Sequence, residues 1–316
     1  MALPLEKLQA VQTIISHANC ADGTAAAMFL HDVLPAAKVI FLQYGTEAYR
    51  NLKAEPGMLF CDFSPHPETY QQFIDAGALI LDHHKTARGV VEAFGENGVF
   101  GDEETEPGVA GATLAYRHVW SPLRGQCTQA SFANDFARLA GIRDTWQNQS
   151  PEWLAACAQG ELLRFMGTER LLSVPFMKLS ESWDRDFKWI GEVLLEQNVR
   201  AVRAVIKGAV RFTSDKGTRV VMFDSTKLSS DAAEALGSEA DLVIGFGYVQ
   251  DDVTTQPKMI VSTRSHTIFD CAAFALRFGG GGHTKAAGFS VAIYQSSMNP
   301  YEIVRGLLES YELGGL

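Results

Sequence analysis

The sequence has no CxxC pair, no surplus of basic charge and no apolar stretch as long as a membrane span. Each absence removes a class of protein. Five cysteines, at 20, 61, 127, 157 and 271, are odd in number and scattered, which speaks against a disulfide framework and a thiolate zinc knuckle. The missing run of about 20 apolar residues excludes a hydropathy-defined spanning helix. The start, Met1-Ala2-Leu3-Pro4, lacks the charged and apolar regions of a signal peptide, so the expected location is cytoplasmic. With 27 basic against 37 acidic residues and a formal charge of -10, nonspecific wrapping of long duplex is disfavoured. A small phosphorylated ligand held in a local basic pocket is compatible with that balance.

What is present is ample core material: 316 residues, 47% of them hydrophobic, are enough for two domains. Strand patterns over 11–16, 38–43, 58–61 and 78–81 alternate with helical patterns over 23–34 and 67–76, the grammar of an α/β fold with a parallel sheet. Helical patterns then dominate: 111–120, 132–139 and 151–165. A long amphipathic helix is expected over 176–206. Strands return at 209–213, 219–223, 241–249, 258–263 and 288–293, with helices at 231–236 and 268–278. The expected division is a first domain over 1–190, a linker helix region over 191–207 and a smaller α/β domain over 208–316.

Three of the predicted strands end in residues that bind metals. Asp82-His83-His84 ends the run Ala78-Leu79-Ile80-Leu81, Asp62 follows Met58-Leu59-Phe60-Cys61, and His17 and Asp22 follow Thr13-Ile14-Ile15. A parallel sheet gathers the carboxyl ends of its strands along one edge, so these residues would meet. Singly, Asp22, Asp62 and Asp144 read as helix caps or turn residues. Jointly, so many charged groups at buried strand ends require a partner, and a divalent cation is the economical one. Carboxylates with imidazoles suit manganese first, with magnesium, iron or zinc as alternatives. Two ions about 3.5 to 4 Å apart would clamp the attacking and leaving oxygens of a phosphoryl displacement. Cys20 and Cys61 lie beside these residues and read as small buried thiols.

In the C-terminal part, Gly279-Gly280-Gly281-Gly282-His283 follows a helical pattern and precedes Lys285 and the small residues Ala286-Ala287-Gly288. A flexible loop is the plain reading. The alternative is a cradle in which the amides of Gly280, Gly281 and Gly282, with His283, hold phosphate oxygens. Arg264, beside Ser265 at a predicted strand end, would add a bidentate phosphate contact, unless it forms a surface salt bridge.

Together these motifs resemble the DHH phosphoesterase superfamily, in the branch with a C-terminal DHH-associated domain, which includes exopolyphosphatase-related and oligoribonuclease-like proteins. The resemblance covers nearly the whole chain. His17-Ala18-Asn19-Cys20-Ala21-Asp22-Gly23 resembles the first motif, Asp62 the second, Asp82-His83-His84 the third and Asp144 before Trp146 the fourth; the glycines from 279 to 288 resemble the signature of the associated domain. It implies a metal domain facing a substrate-gripping domain across a cleft. It also implies that His17 and Asp22 bind one ion, that His83 and Asp144 bind the other, and that Asp62 bridges. Asp82 would orient a histidine and His84 would face the scissile phosphate. Two departures stand out: Thr24 occupies the place where many relatives carry a second aspartate, and the spacing from His17 to Asp22 is one residue longer than the commonest form.

The expected activity is metal-dependent hydrolysis of short oligonucleotides or linear dinucleotides to nucleoside monophosphates, through a water activated by two metals. Phosphoanhydride or small phosphate-monoester hydrolysis is the first alternative, and a nucleic-acid-binding module with a decayed site the second. Phe246, Tyr248, Phe269 and Phe278 tilt slightly toward nucleotides as stacking surfaces. A homodimer is compatible with all three, and no membrane partner is expected.

Overall fold

A computed structural model describes residues 3–125, 127–249, 257–292 and 299–314. The chain divides into two compact units, Met1–Leu195 and Glu196–Leu316. In the first, β1 (Thr13–His17), β2 (Lys38–Leu42), β3 (Met58–Cys61), β4 (Leu79–Asp82) and β5 (Gly98–Phe100) form a parallel sheet in the order β2-β1-β3-β4-β5. Every residue of β3 and β4 is buried, as expected where both faces of a parallel sheet are covered. One face carries the core around Ile14, Leu59, Leu79, Phe29 and Phe136, the other the core around Ile15, Phe60, Ile80 and Phe73. The helices on the first face include Ala21–Val33, Gly111–Ala115 and Ala130–Asp144.

This strand order reverses direction between β1 and β3, and such switch points leave a crevice beyond the strands' carboxyl ends. The register brings the ends level. Ser16 pairs with Cys61 and Cys61 with Leu81, so the next residues along, His17, Asp62 and Asp82, share one row across the sheet. The backbone N–H of Asp62 donates to Leu81 O at 3.0 Å, carrying the ladder one residue past β3.

The second unit holds a six-stranded mixed sheet of β6 (Val210–Thr213), β7 (Arg219–Phe223), β8 (Leu242–Val249), β9 (Lys258–Arg264), β10 (Gly281–His283) and β11 (Ala286–Ala292). Its order is β10-β11-β9-β8-β7-β6, and β7 with β8 is its parallel pair. The helices Ser229–Leu236, Cys271–Arg277 and Pro300–Glu312 belong to this unit. Helix Lys188–Gly208 spans the point of division. Among the described residues, no helix is long and apolar enough to cross a membrane.

Three elements in particular escape the sequence reading. β5 is a strand of three residues, too short for a periodic signal, and Pro300–Glu312 is an amphipathic helix that buries Val304 and Leu308 and packs Tyr301, Ile303, Leu307 and Tyr311 against the same core. The third is β10. The glycine run is not an open loop: Gly281, Gly282 and His283 pair with Gly288, Ala287 and Ala286 as an edge strand. Here the glycines permit close backbone packing. A Cβ on Gly280 would lie 2.2 Å from Gly288 O, and one on Gly282 would lie 2.5 Å from Ala286 O.

Candidate metal centre

The carboxyl edge of the first sheet collects His17, Asp22, Asp62, Asp82, His83, His84 and Asp144. His17 is the last residue of β1 and Asp82 the last of β4. Asp22 lies in the first turn of the helix that follows β1, and Asp144 is the last residue of helix Ala130–Asp144. Asp22, Asp62, Asp82 and His83 are all at most 3% exposed, so the charge is held away from water.

Ligand-capable atoms form three groups in which every atom lies within 4.8 Å of the others: Asp62/Asp82/His83/His84, His17/Cys20/Asp62 and Asp22/His83/Asp144. Asp62 belongs to two of them and divides its oxygens. Its Oδ1 is 3.1 Å from His83 Nε2, while its Oδ2 is 3.7 Å from His17 Nδ1. That is the disposition of a bridging carboxylate. Asp22 groups with His83 and Asp144, whereas the resemblance pairs it with His17. The cause is local: as a helix residue, Asp22 turns toward Gly111–Ala115, where its Oδ1 accepts the N–H of Ala112 at 3.0 Å.

Asp82 is consumed by holding the loop that follows β4. Its Oδ1 accepts from the backbone of His83 at 2.8 Å and of His84 at 3.1 Å, and lies 2.7 Å from His84 Nδ1. Ser64 Oγ donates to its other oxygen. These contacts give it the geometry of an orienting group for His84. Thr24 has its own occupation, since its hydroxyl donates to Cys20 O at 2.8 Å.

One participant escapes the sequence reading. Glu103 Oε1 lies 2.9 Å from His83 Nδ1, opposite the Nε2 that faces Asp62 and Asp144. Glu103 sits in the loop after β5, and ion pairs of Asp102 with Arg88, Glu104 with Lys85 and Glu106 with Arg117 pin this loop. The acidic run Asp102-Glu103-Glu104 is the only signal for it in the sequence, and it reads there as a solvated turn.

Three observations fit a divalent cation. Asp62 Oδ2, Asp22 Oδ2 and His17 Nδ1 are buried without a hydrogen-bond partner, which is costly unless something else satisfies them. Glycines make room around these carboxylates: a Cβ on Gly23 would fall 2.9 Å from Asp62 Oδ2, and one on Gly111 2.7 Å from Asp22 Oδ2. Asn19, Asp62 and Trp146 have positive φ values of 58°, 56° and 56°, so backbone strain is concentrated around the cluster.

The electrostatics of the cluster without a cation show the same need. Burial, followed by the charges of Asp62 and Asp144, pushes the Asp22 carboxyl well above the usual range. Burial acts upward on Asp62 too, but the neighbouring imidazoles of His17 and His83 outweigh it and hold that carboxyl low. Burial opposes protonation of His84, yet the Asp82 charge and hydrogen bond raise it to about 9. The carboxylates thus draw on imidazolium ions for positive charge, a role that a bound cation fills while leaving imidazole nitrogens free to ligate.

In the second unit, Arg264 is not a salt-bridge residue among the described residues. Its Nε donates to Ser230 Oγ at 2.9 Å, and its Nη1 to Ser262 Oγ at 3.0 Å and to Thr263 O at 2.8 Å. The acceptors that hold it are neutral, with the charge of Asp231 acting on it from farther off. Ser265 is buried and accepts the N–H of Thr267 at 3.1 Å. The side chain of His283 lies outside the described residues. Phe246 is core, and Phe269 and Phe278 are partly buried against that core. Tyr248 is 56% exposed but lies five residues along β8 from Val243, the partner of Arg264, about 17 Å away.

A parallel sheet whose switch point carries a buried carboxylate–imidazole cluster, followed by a mixed-sheet unit, defines a two-unit α/β protein with a candidate metal centre. The solved structures that share this fold name the type. The DHH domain of a protein described as a member of a ribosomal-protein family superposes with a TM-score of 0.58 at 14% identity, covering 96% of this chain and 87% of that one. A pGpG-specific phosphodiesterase, PggH of Vibrio cholerae, superposes with a TM-score of 0.51 at 12% identity, covering 96% of this chain and all of that one. The chain therefore has the fold of DHH-domain proteins. No protein-family model and no curated protein matches the sequence.

Proposed function

We propose that this protein is a metal-dependent phosphodiesterase that hydrolyses short oligonucleotides or linear dinucleotides to nucleoside monophosphates. The observation that carries the reading is the cluster of His17, Asp22, Asp62, His83 and Asp144, in which Asp22, Asp62 and His83 are buried, with its unpartnered oxygens and nitrogen at the switch point of the sheet. Divalent cations bound there would polarise a phosphoryl oxygen and lower the pKa of an attacking water. Asp62, with one oxygen toward each side, would hold the two halves of the site at a fixed spacing. Asp82 keeps the His84 ring oriented by its 2.7 Å contact, so His84 can deliver a proton to the leaving oxygen or neutralise charge on the phosphate.

For the substrate's far phosphate the proposal uses Arg264, whose guanidinium is anchored by Ser230 and Ser262 and lacks an ion-pair partner among the described residues. The N–H of Gly280 is taken by Ala275 O at 2.9 Å, so the amides of Gly281 and Gly282, with His283 and Ser265, would complete that grip. The fold shared with a pGpG-specific phosphodiesterase supports linear dinucleotides as the first class to test. Manganese as the ion and the cytoplasm as the location belong to the same proposal. Phosphoanhydride hydrolysis is the second reading, favoured by the packing of Phe246, Phe269 and Phe278 into or against the core, which leaves Tyr248 as the exposed ring among the four aromatic candidates.

The test is a manganese-supplemented screen of linear and cyclic dinucleotides, longer oligomers, phosphate monoesters and polyphosphate, run with wild type and Asp62→Asn. Preferential cleavage of dinucleotides by wild type alone is expected. Equal turnover of polyphosphate would overturn the substrate class, and turnover by Asp62→Asn at the wild-type rate would overturn the site.

A further inference from the structure

Cys20 reads from the sequence as a small buried thiol, and the structure places it among ligands. Its Sγ, a ring nitrogen of His17 and a carboxylate oxygen of Asp62 lie within 4.8 Å of one another. Two of these three residues present unsatisfied atoms: Asp62, 1% exposed, has its Oδ2 without a hydrogen-bond partner, and so has His17 its buried Nδ1. The sulfur lies 3.8 Å from Asp144 Oδ1 and has a backbone hydrogen bond with Gly23. Cys61 shows what a merely structural thiol looks like in the same neighbourhood. It is fully buried in the core and donates to Gly111 O at 3.5 Å.

Local geometry explains why the sulfur, and not Asp22, stands on the His17 side. Cys20 is the extended residue just before helix Ala21–Val33, and Asn19 before it takes a left-handed φ of 58°. Asp22 lies one step inside the helix and is committed to the N–H of Ala112 and to the group with His83 and Asp144. Without the sulfur, the group on the His17 side would be reduced to His17 and Asp62.

We propose that Cys20 is a metal ligand, which with His17 and Asp62 forms a sulfur-containing cation site beside the all-nitrogen-and-oxygen group of Asp22, His83 and Asp144. The proposal rests on the metal-dependent reading above. Binding would convert the thiol to a thiolate and release its proton to solvent. A thiolate donor favours zinc, iron(II) or cobalt(II) over magnesium, so the two halves of the centre would differ in the ion they prefer.

Cobalt(II) tests this on the full-length protein. Equilibrium dialysis measures binding, and absorption reports ligation through the thiolate-to-cobalt charge-transfer band in the near ultraviolet. Wild type and Cys61→Ser should show the band. Cys20→Ser should lose it and bind cobalt about tenfold more weakly, the lower end of the loss for an altered metal site. Cys20→Asp should bind manganese without the band, which distinguishes loss of sulfur from loss of fold. Cobalt bound by wild type without the band, or a band that survives in Cys20→Ser, would overturn the thiolate ligand and leave the metal-dependent reading standing. Failure of wild type to bind cobalt, manganese or zinc at all would overturn both.

Discussion

Glu103→Gln offers a sharp test of the centre, because it removes one charge and almost no volume. With a cation bound, a hydrogen bond from His83 Nδ1–H to Glu103 Oε1, now 2.9 Å apart, would fix the tautomer that presents the Nε2 lone pair on the side of Asp62 and Asp144. A glutamine amide can accept the same bond but adds no negative charge, and turned over it favours the opposite tautomer. Loss of such a supporting partner costs 10- to 100-fold in metal affinity, about 1.4 to 2.7 kcal/mol. The Glu103 side chain is 35% exposed, so solvent screens its charge and the lower end applies, about tenfold. Titration calorimetry with manganese would read this directly. Activity lost at subsaturating manganese should return at saturation, while Glu103→Ala should be the weaker binder and Glu103→Asp intermediate. Binding of manganese by Glu103→Gln within about twofold of wild type would refute the reasoning.

Gly111→Ala should lower both stability and metal binding, because the added Cβ would sit 2.3 Å from Asp62 Cβ and 2.7 Å from Asp22 Oδ2; overpacking of this kind costs about 1 to 3 kcal/mol, measurable by denaturant titration of the metal-free protein. Arg264→Ala should raise KM for a dinucleotide with a smaller effect on kcat, and an unchanged KM would remove Arg264 from the substrate grip. Acid should expose the ion pair of Arg219 with Asp241. The Arg219 hydrogen bonds lower Asp241 to about 2, so its stabilisation is full above the ordinary value of 3.8 and is lost as pH falls through about 2. Since Arg219 is half exposed, solvent screens the pair, and Asp241→Asn should show a small deficit at neutral pH and none near the acid limit.

Much of the first unit was legible because its signals are local. Buried parallel strands read as short apolar runs, and the candidate site residues stand where those runs stop, so His17, Asp62 and Asp82-His83-His84 could be placed at strand ends without knowing which strands are neighbours. The second unit was less legible. A glycine run has the same composition whether it is a loop or an edge strand, and only the partner residues from Ala286 to Gly288 distinguish the two. Phe246, Phe269 and Phe278 have the spacing of core and of a stacking surface alike, and packing decided for core.

By itself, the order of residues determined the α/β alternation, the kinds of ligand and the edge of the sheet at which they gather, since each depends on a few adjacent side chains and on the rule that parallel strands end together. Tertiary structure alone decided how the ligand-capable residues group. It sent Asp22 to His83 and Asp144, left Cys20 beside His17, set Glu103 behind His83 and surrounded Arg264 with neutral acceptors. Those outcomes depend on the direction in which a helix turn, a left-handed residue and a pinned loop point side chains distant in sequence, and no local pattern carries that information.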